Sequence, residues 1–555
     1  MKILRTYLAL LGLLLVAGVK GQDLSGIKGE KPFKMSGNIS LGSFFYSAGG
    51  IDARQQPYGY SLGANLNFNI YGVAIPFYAS FNEQGSAFQH PFNRYGISPR
   101  YKWIQAHIGW RSMSMSQFSL SNTTFLGGGL ELKPGKFRFA AMYGNVKQPA
   151  ELQNINFTRP QFERRAMAVK IGVGTDKNFF DFIVFKAKDD TLSLHEPDSI
   201  QDLVPAYENL VFGVKNKLTF AKDKLVFNFD ASFSAFSNNI RYPSVQIIND
   251  DKYQWVNSIF NPNISTSFNY AGETDLTYRH KFFSLGVKYR RVMPDFKSLG
   301  SEYILNDVEA VTVNPSVSLF NGKAMLSGSV GTQRNNLDGN RMSTNERMIS
   351  SVNLSLNPSP YWGIMFGYSN YTFQQQVIID SLYNDSMVIN QLNQNYNVVP
   401  RLTMIKDNFI HNLVLTANYQ ILNDRNDITA NTGSNTMLLT NLMYSMMVKK
   451  TGLNLRVGAT YFSFNSGLIN INRMGINFGA GKKFLKNKMR TNITISYNKQ
   501  DETYSNSTFI TLNGSINYQV LKKTSLGLQF YYSNVNSTSK AYNEQRVQLR
   551  VSQSF

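Results

Sequence analysis

A chain of 555 residues with no cysteine can form no disulfide, no thiolate nucleophile, no cysteine-held metal site and no lipid-attachment cysteine. Its 40 Phe and 30 Tyr favour strands, and its charged residues, only 16% of the total, leave a formal balance of +21. Past the first twenty or so residues no apolar run reaches the roughly 18 residues a membrane-spanning helix needs, so a helical membrane protein is excluded.

Lys2 and Arg5 open the chain, and Thr6 to Val19 is mostly apolar with a Leu-rich centre. Val19-Lys20-Gly21 then places small residues where a signal peptidase reads. A positive start, an apolar stretch of about 14 residues and a small-residue site predict a cleaved signal peptide over 1–21, with Gln22 as the mature start. Residues 22–34 are expected to be a short periplasmic segment, and 35–555 a transmembrane β-barrel.

From there one pattern repeats. Tyr58, Tyr60, Leu62, Ala64, Leu66, Phe68 and Ile70 alternate with Ser61, Gly63, Asn65 and Asn67. Leu225, Phe227, Phe229, Ala231, Phe233 and Ala235 alternate with Asn228, Asp230, Ser232 and Ser234. Leu453 to Tyr461 does the same, after which Phe462 and Phe464 fall on the other face. Ile510 to Tyr518 and Leu526 to Tyr532 follow. Period-two alternation separates two strand faces. Runs of about 9–13 residues are longer than the strands of soluble sheets, and long enough to cross a bilayer at a barrel tilt.

The connections alternate in length, as barrel hairpins do with tight periplasmic turns and longer outer loops. Lys133-Pro134-Gly135-Lys136, Thr175–Asn178, Lys222–Lys224, Asn321–Lys323, Asn357–Pro360, Lys449–Gly452 and Lys522-Lys523 are short. Polar stretches near 112–123, 146–162, 188–208, 237–263, 332–346, 375–394, 422–434 and 533–543 are long. The expected fold is therefore all-β, a single antiparallel barrel of about 24–26 strands. The lower count applies if the stretch from Asn82 to Arg94 folds into the pore.

The last segment alternates Val547, Leu549 and Val551 with Arg546, Gln548, Arg550 and Ser552, and ends in Phe555. Together with the signal peptide, the Tyr- and Asn-rich strands and the missing cysteines, it resembles the large porin-like outer-membrane barrels of Gram-negative bacteria, of the Bacteroidota type. That resemblance implies a place in the cell outer membrane, among its lipid and lipopolysaccharide. It also implies that Phe555 is an assembly signal read by the barrel-assembly machinery. Strand-like sequence begins near Met35, so no plug domain is expected ahead of the barrel.

Catalysis is not expected. His90, His107, His195, His280 and His411 are scattered, without metal-ligand spacing or a serine motif nearby. The acidic stretch holding Asp189, Asp190, Glu196, Asp198 and Asp202 has the oxygen ligands Ca²⁺ uses, but reads better as a solvated outer loop. No metal or cofactor is expected. The basic excess is dispersed and no nucleic-acid module is present, so nucleic acid is not an expected partner.

Without Lys2, Arg5 and Lys20 the chain keeps 53 basic residues against 35 acidic, +18. Much of that excess sits in the short turns. The rest includes Arg138, Lys170, Lys288, Arg290, Arg456, Arg546 and Arg550, set against Glu131 and Asp230. Their apolar neighbours must face lipid, since a midplane charge costs about 2–4 kcal/mol, so these seven are expected to line the pore. Either they concentrate anions or inward-folded acidic loops neutralise them. Two functions stand: a porin-like channel for small solutes, anionic ones if the charge is uncompensated, or a plugged structural or accessory barrel serving an envelope export, adhesion or assembly complex. A lumen this wide needs a closing loop; the candidates are Asn82 to Arg94, 188–208 and 237–263.

Overall fold

The computed structural model describes residues 32–82, 94–151, 160–195, 197, 201–245, 259–377, 388–538 and 540–555. The expected signal peptide, Met35's upstream neighbours through residue 31, and residues 83–93 lie outside them, as do Glu196 and Asp198 of the acidic loop. Among the described residues no helix is long and apolar enough to cross a membrane.

The strands form one antiparallel sheet that closes on itself. The first strand, Phe33–Gly49, pairs on one side with Tyr58–Ile70 and on the other with the last, Ala541–Ser554. That seam runs from Asn38 opposite Ser554 to Gly49 opposite Asn543. Closure leaves no unpaired edge, the condition for a sheet to sit in lipid. The wall has 26 strands, because Arg94–Ile97 and Arg100–Tyr101 are two pieces of one. Both pair with Val73–Asn82 and with Ile104–Ser112. The break falls at Ser98-Pro99, where proline has no N–H to give the ladder.

The alternation sorts the two faces as the residues require. Leu41 lies opposite Leu62 and Val551, and Phe45 opposite Tyr58 and Val547. Leu41, Phe45, Tyr58 and Leu62 are exposed on the outer wall. So are Tyr143, Phe182, Phe212, Phe233, Phe268, Ile495 and Leu549. The intervening Ser40, Asn65, Asp181, Asp230 and Arg550 face inward.

Several strands outrun their alternation. From Ser343 onward every strand has 14 to 17 residues. The loops expected at 332–346, 375–394 and 533–543 shrink accordingly, since Ala324–Arg334, Asn390–Lys406 and Thr524–Ser537 reach well into them. Above the bilayer both faces meet water, so nothing keeps one of them apolar, and the signal stops before the strand does. The first strand also starts slightly earlier than expected, at Phe33. Phe33 pairs with Ile70 beside the Tyr71-Gly72 turn, and the Phe555 amide donates to Gly37 O at 2.9 Å. First and last strands thus end on the rim of tight turns.

Candidate functional site: the barrel lumen

The interior is divided into two unlike sectors. Where Phe137–Lys147, Glu163–Gly174, Phe179–Asp190 and Glu208–Phe220 form the wall, a band of the inward side chains is apolar and buried: Ala140, Met142, Ala166, Ala168, Ile183, Phe185 and Val211. A channel wall would be polar here. It is covered instead by two loops that leave the rim and fold inside, 113–123 and 293–307. Met113, Met115 and Leu120 pack on this wall with Leu299. Phe118 meets Phe296 edge-on at 6.1 Å, within a cluster of Ala271, Val292 and Val308. Phe118 and Leu120 are both 0% exposed.

The loops are joined to each other and to the wall. Ser298 Oγ donates to Ser119 O at 2.6 Å, the Ser121 amide to Gly300 O at 2.9 Å, and Ser301 Oγ to Gln117 O at 2.9 Å. Ser116 Oγ donates to Asp230 Oδ1 at 2.5 Å, Ser234 Oγ to Lys297 O at 2.6 Å, and the Leu299 amide to Asn209 Oδ1 at 3.0 Å. Gly300 has no room for a side chain, because a Cβ there would lie 2.4 Å from Ser119 O and 2.7 Å from the Phe185 ring. These loops can be buried because most of the polar groups named here find partners, the buried Ser119 Oγ excepted.

The closing loops expected from sequence behave differently. In the described part of 188–208, Leu194, Val204 and Ala206 pack with Phe162 at the rim, with Ile240 against them. Arg164 grips Asp189 bidentately at 2.6 and 3.0 Å, Arg165 pairs with Asp190, and Arg241 pairs with Asp202. These carboxylates serve as ion-pair partners. From the 237–263 loop, Phe260 packs on Leu210, Ala235 and Val184, which lie on the face opposite Asn209 and Val211.

All seven basic residues expected in the lumen fall on the inward face, but in two electrostatic settings. Arg138 holds Asp181 through Nε at 2.8 Å and Nη2 at 3.0 Å, with its guanidinium 4.2 Å from the Phe179 ring centre. Lys170, 9% exposed, pairs across strands with Ala140 and Ile183, in the field of Asp181 and Glu131. Lys288 and Arg290 share Glu273, at 2.8 and 3.4 Å. Lys215 lies 3.9 Å from Asp230, and His107 bridges Ser98 and Glu131 at 2.9 and 3.1 Å. These cations beside the inward loops are therefore compensated, while Arg111 donates to Pro76 O at 3.0 Å.

Arg456, Arg546 and Arg550 stand in the other sector. No carboxylate pairs with them among the described residues. Arg550 reaches Ser40 Oγ at 3.4 Å, Arg546 lies over the Phe44 ring at 4.7 Å, and the buried Nε atoms of Arg456 and Arg546 have no hydrogen-bond partner. Around them the inward face is amide and hydroxyl: Asn395 with Asn418, Asn393 with Gln420, Ser496 with Thr511. A cavity of about 610 Å³ opens here, lined by Tyr46, Arg54, Asn513, Gln529, Glu544 and Arg546 among others. Glu544 is occupied by Arg54 at 3.2 Å and by Tyr46 OH at 2.6 Å.

Further inward cations in this sector escaped the sequence reading, among them Arg347, Arg401 and Arg473. Arg347 lies over Tyr371 and Phe373, Arg401 donates to Asn357 Oδ1 at 2.9 Å, and Arg473 donates to Gln500 Oε1 at 2.5 Å. Arg401 was within reach, since Pro400 and Leu402 flank it as outward neighbours. Arg347 and Arg473 lie high on the wall, where alternation has faded.

An even number of antiparallel strands, a continuous apolar outer face and tight turns along one rim are the features of barrels built for the outer membrane, and this chain belongs in that membrane. No protein-family model matches the chain, and no curated protein does. Among solved structures, OccAB4 of Acinetobacter baumannii aligns at 13% identity and a TM-score of 0.31, over 71% of this chain and 99% of that one. OccK8 (OprE) of Pseudomonas aeruginosa aligns at 8% and 0.31, over 71% and 98%. The FrpB iron transporter of Neisseria meningitidis aligns at 11% and 0.40, over 97% and 83%. Likenesses this weak say nothing of a solute, and what the barrel can pass must come from its own lumen.

Proposed function

We propose that this barrel is a non-enzymatic, porin-like channel for small solutes, that its path runs through the sector away from the inward loops, and that it prefers anions. The observation that carries this reading is the contrast between the sectors. Carboxylates answer Arg138, Lys288 and Arg290 beside the loops, whereas Arg456, Arg546 and Arg550 share their sector with further arginines and a lining of amides and hydroxyls. Fixed positive charge in a water-filled path with low-dielectric walls raises local anion concentration and repels cations.

Purified, refolded protein in a planar bilayer tests it. A steady conductance with an anion-directed reversal potential in a salt gradient is expected. Arg456→Gln with Arg550→Gln should move that potential toward zero, and Lys288→Gln should barely change it. A cation-directed potential would sink the anion preference. The filled sector favours a second reading, an accessory barrel with envelope partners. A silent bilayer from folded protein, together with a stoichiometric co-purifying partner, would support that instead.

A further inference from the structure

Lys482 is an outer-wall cation with no carboxylate partner among the described residues. Lys482 lies on the lipid-facing side of Asn470–Phe484, in the same outward register as Phe478 and Ala480. Several outward cations do have carboxylates: Arg291 and Arg334 share Glu309, Lys186 has Glu208, and Lys499 has Asp501. Lys482 has the Phe484 ring, 5.0 Å from its Nζ, and no carboxylate pairs with it among the described residues.

Beside it the wall is hollow. Across neighbouring strands Ala480 pairs with Ile493, Ile493 with Gly514, and Gly514 with Phe530. Large and small side chains therefore alternate around the barrel. The small ones floor a groove of about 470 Å³, walled by Ile493, Ile516 and Phe530, with Lys482 along its edge. A Cβ on Gly514 would meet nothing nearer than Phe530 Cβ at 3.9 Å, so the hollow is open space rather than packed interior. One row toward the tight-turn rim lie Phe484, Met489 and Tyr518. The turns beyond carry Lys486, Lys488, Lys522 and Lys523.

We propose that this groove and Lys482 form a binding site for an anionic diacyl phospholipid of the leaflet on the tight-turn side, with an acyl chain in the groove and the phosphate on the Lys482 ammonium. A lysine on a lipid-facing wall extends its ammonium toward the headgroups. With no protein carboxylate to neutralise it, its counter-ion comes from the lipid, and the neighbouring turn lysines add attraction of the same sign. The apolar groove beneath distinguishes a two-part ligand from a free anion.

The test uses full-length protein in a neutral detergent, titrated with phosphatidylglycerol, with phosphatidylcholine of the same chains, and with inorganic phosphate. Bound lipid is counted by native mass spectrometry and the melting temperature is followed. Saturable phosphatidylglycerol binding is expected, weakened about fivefold by Lys482→Gln, kept by Lys482→Arg, and unaffected by Lys222→Gln on a distant turn. Gly514→Leu, which fills the groove, should weaken both lipids. Equal affinity for the two lipids would overturn the proposal, as would full competition by inorganic phosphate or indifference to Gly514→Leu. Lys482→Arg and Lys222→Gln also report on folding.

Discussion

Arg138 and Arg550 occupy equivalent positions in their strands, each flanked by outward apolar residues, yet their surroundings differ. Arg138 is locked to Asp181, whose side chain is 2% exposed. Removing one member of such a buried pair strands the other charge, at a cost of about 3–5 kcal/mol. Asp181→Ala should therefore lower stability by that order in urea titrations of the lipid-embedded protein. The double change Arg138→Met with Asp181→Leu should recover most of the loss. A single change as mild as the double one would mean that water and the exposed Asp176, 3.2 Å from Arg138 Nη1, replace Asp181 as its partners. Sequence could place both arginines inside, because face follows from alternation. It could not tell them apart, because Asp181 comes beside Arg138, and Ser40 beside Arg550, only through strand register.

Strands were legible wherever one face meets lipid and the other water. Ile495 and Ser496 are adjacent, and their opposite orientation yields an asymmetric expectation. Ile495→Arg puts a charge on the lipid face at a cost of about 2–4 kcal/mol if it lies near the midplane. Ser496→Lys, facing the lumen, should fold normally. Refolding yield into liposomes, followed by the gel shift between folded and heated protein, distinguishes them; equal yields would contradict the register around Tyr497. Elements whose environment is neither lipid nor open water were not legible. Met113, Met115, Phe118 and Leu120 sit in a stretch whose serines made it look like an ordinary outer loop. Their apolar spacing was the available signal, and 293–307, with Phe296 and Leu299, carried another. Recognising either requires knowing that the facing wall, Ala140 to Val211, is apolar on its inner side as well.

At the scale of the molecule, closing 26 strands makes a cylinder too wide for side chains alone to fill, and this chain fills it unevenly. Loops 113–123 and 293–307 act as one body, since each donates to or accepts from the other at Ser119, Ser121, Ser298 and Gly300. Their removal should therefore be cooperative. Replacing 113–123 by a short Gly-Ser turn bares Met142, Ile183 and Phe185 and deprives 293–307 of its partner, so that either deletion loosens both. It also releases Asp230 from Ser116 and opens the compensated sector to the solute path. Single-channel conductance should then rise, while the anion-directed reversal potential should fall, because Asp230, Asp181 and Glu273 now face the permeating ions along with their cationic partners. The double deletion should add little to either single one. Unchanged conductance in a folded deletion variant would show that ions do not pass beside these loops. A rise in conductance with an undiminished anion preference would show that the sector of Arg456, Arg546 and Arg550 sets selectivity, whatever the rest of the lumen exposes.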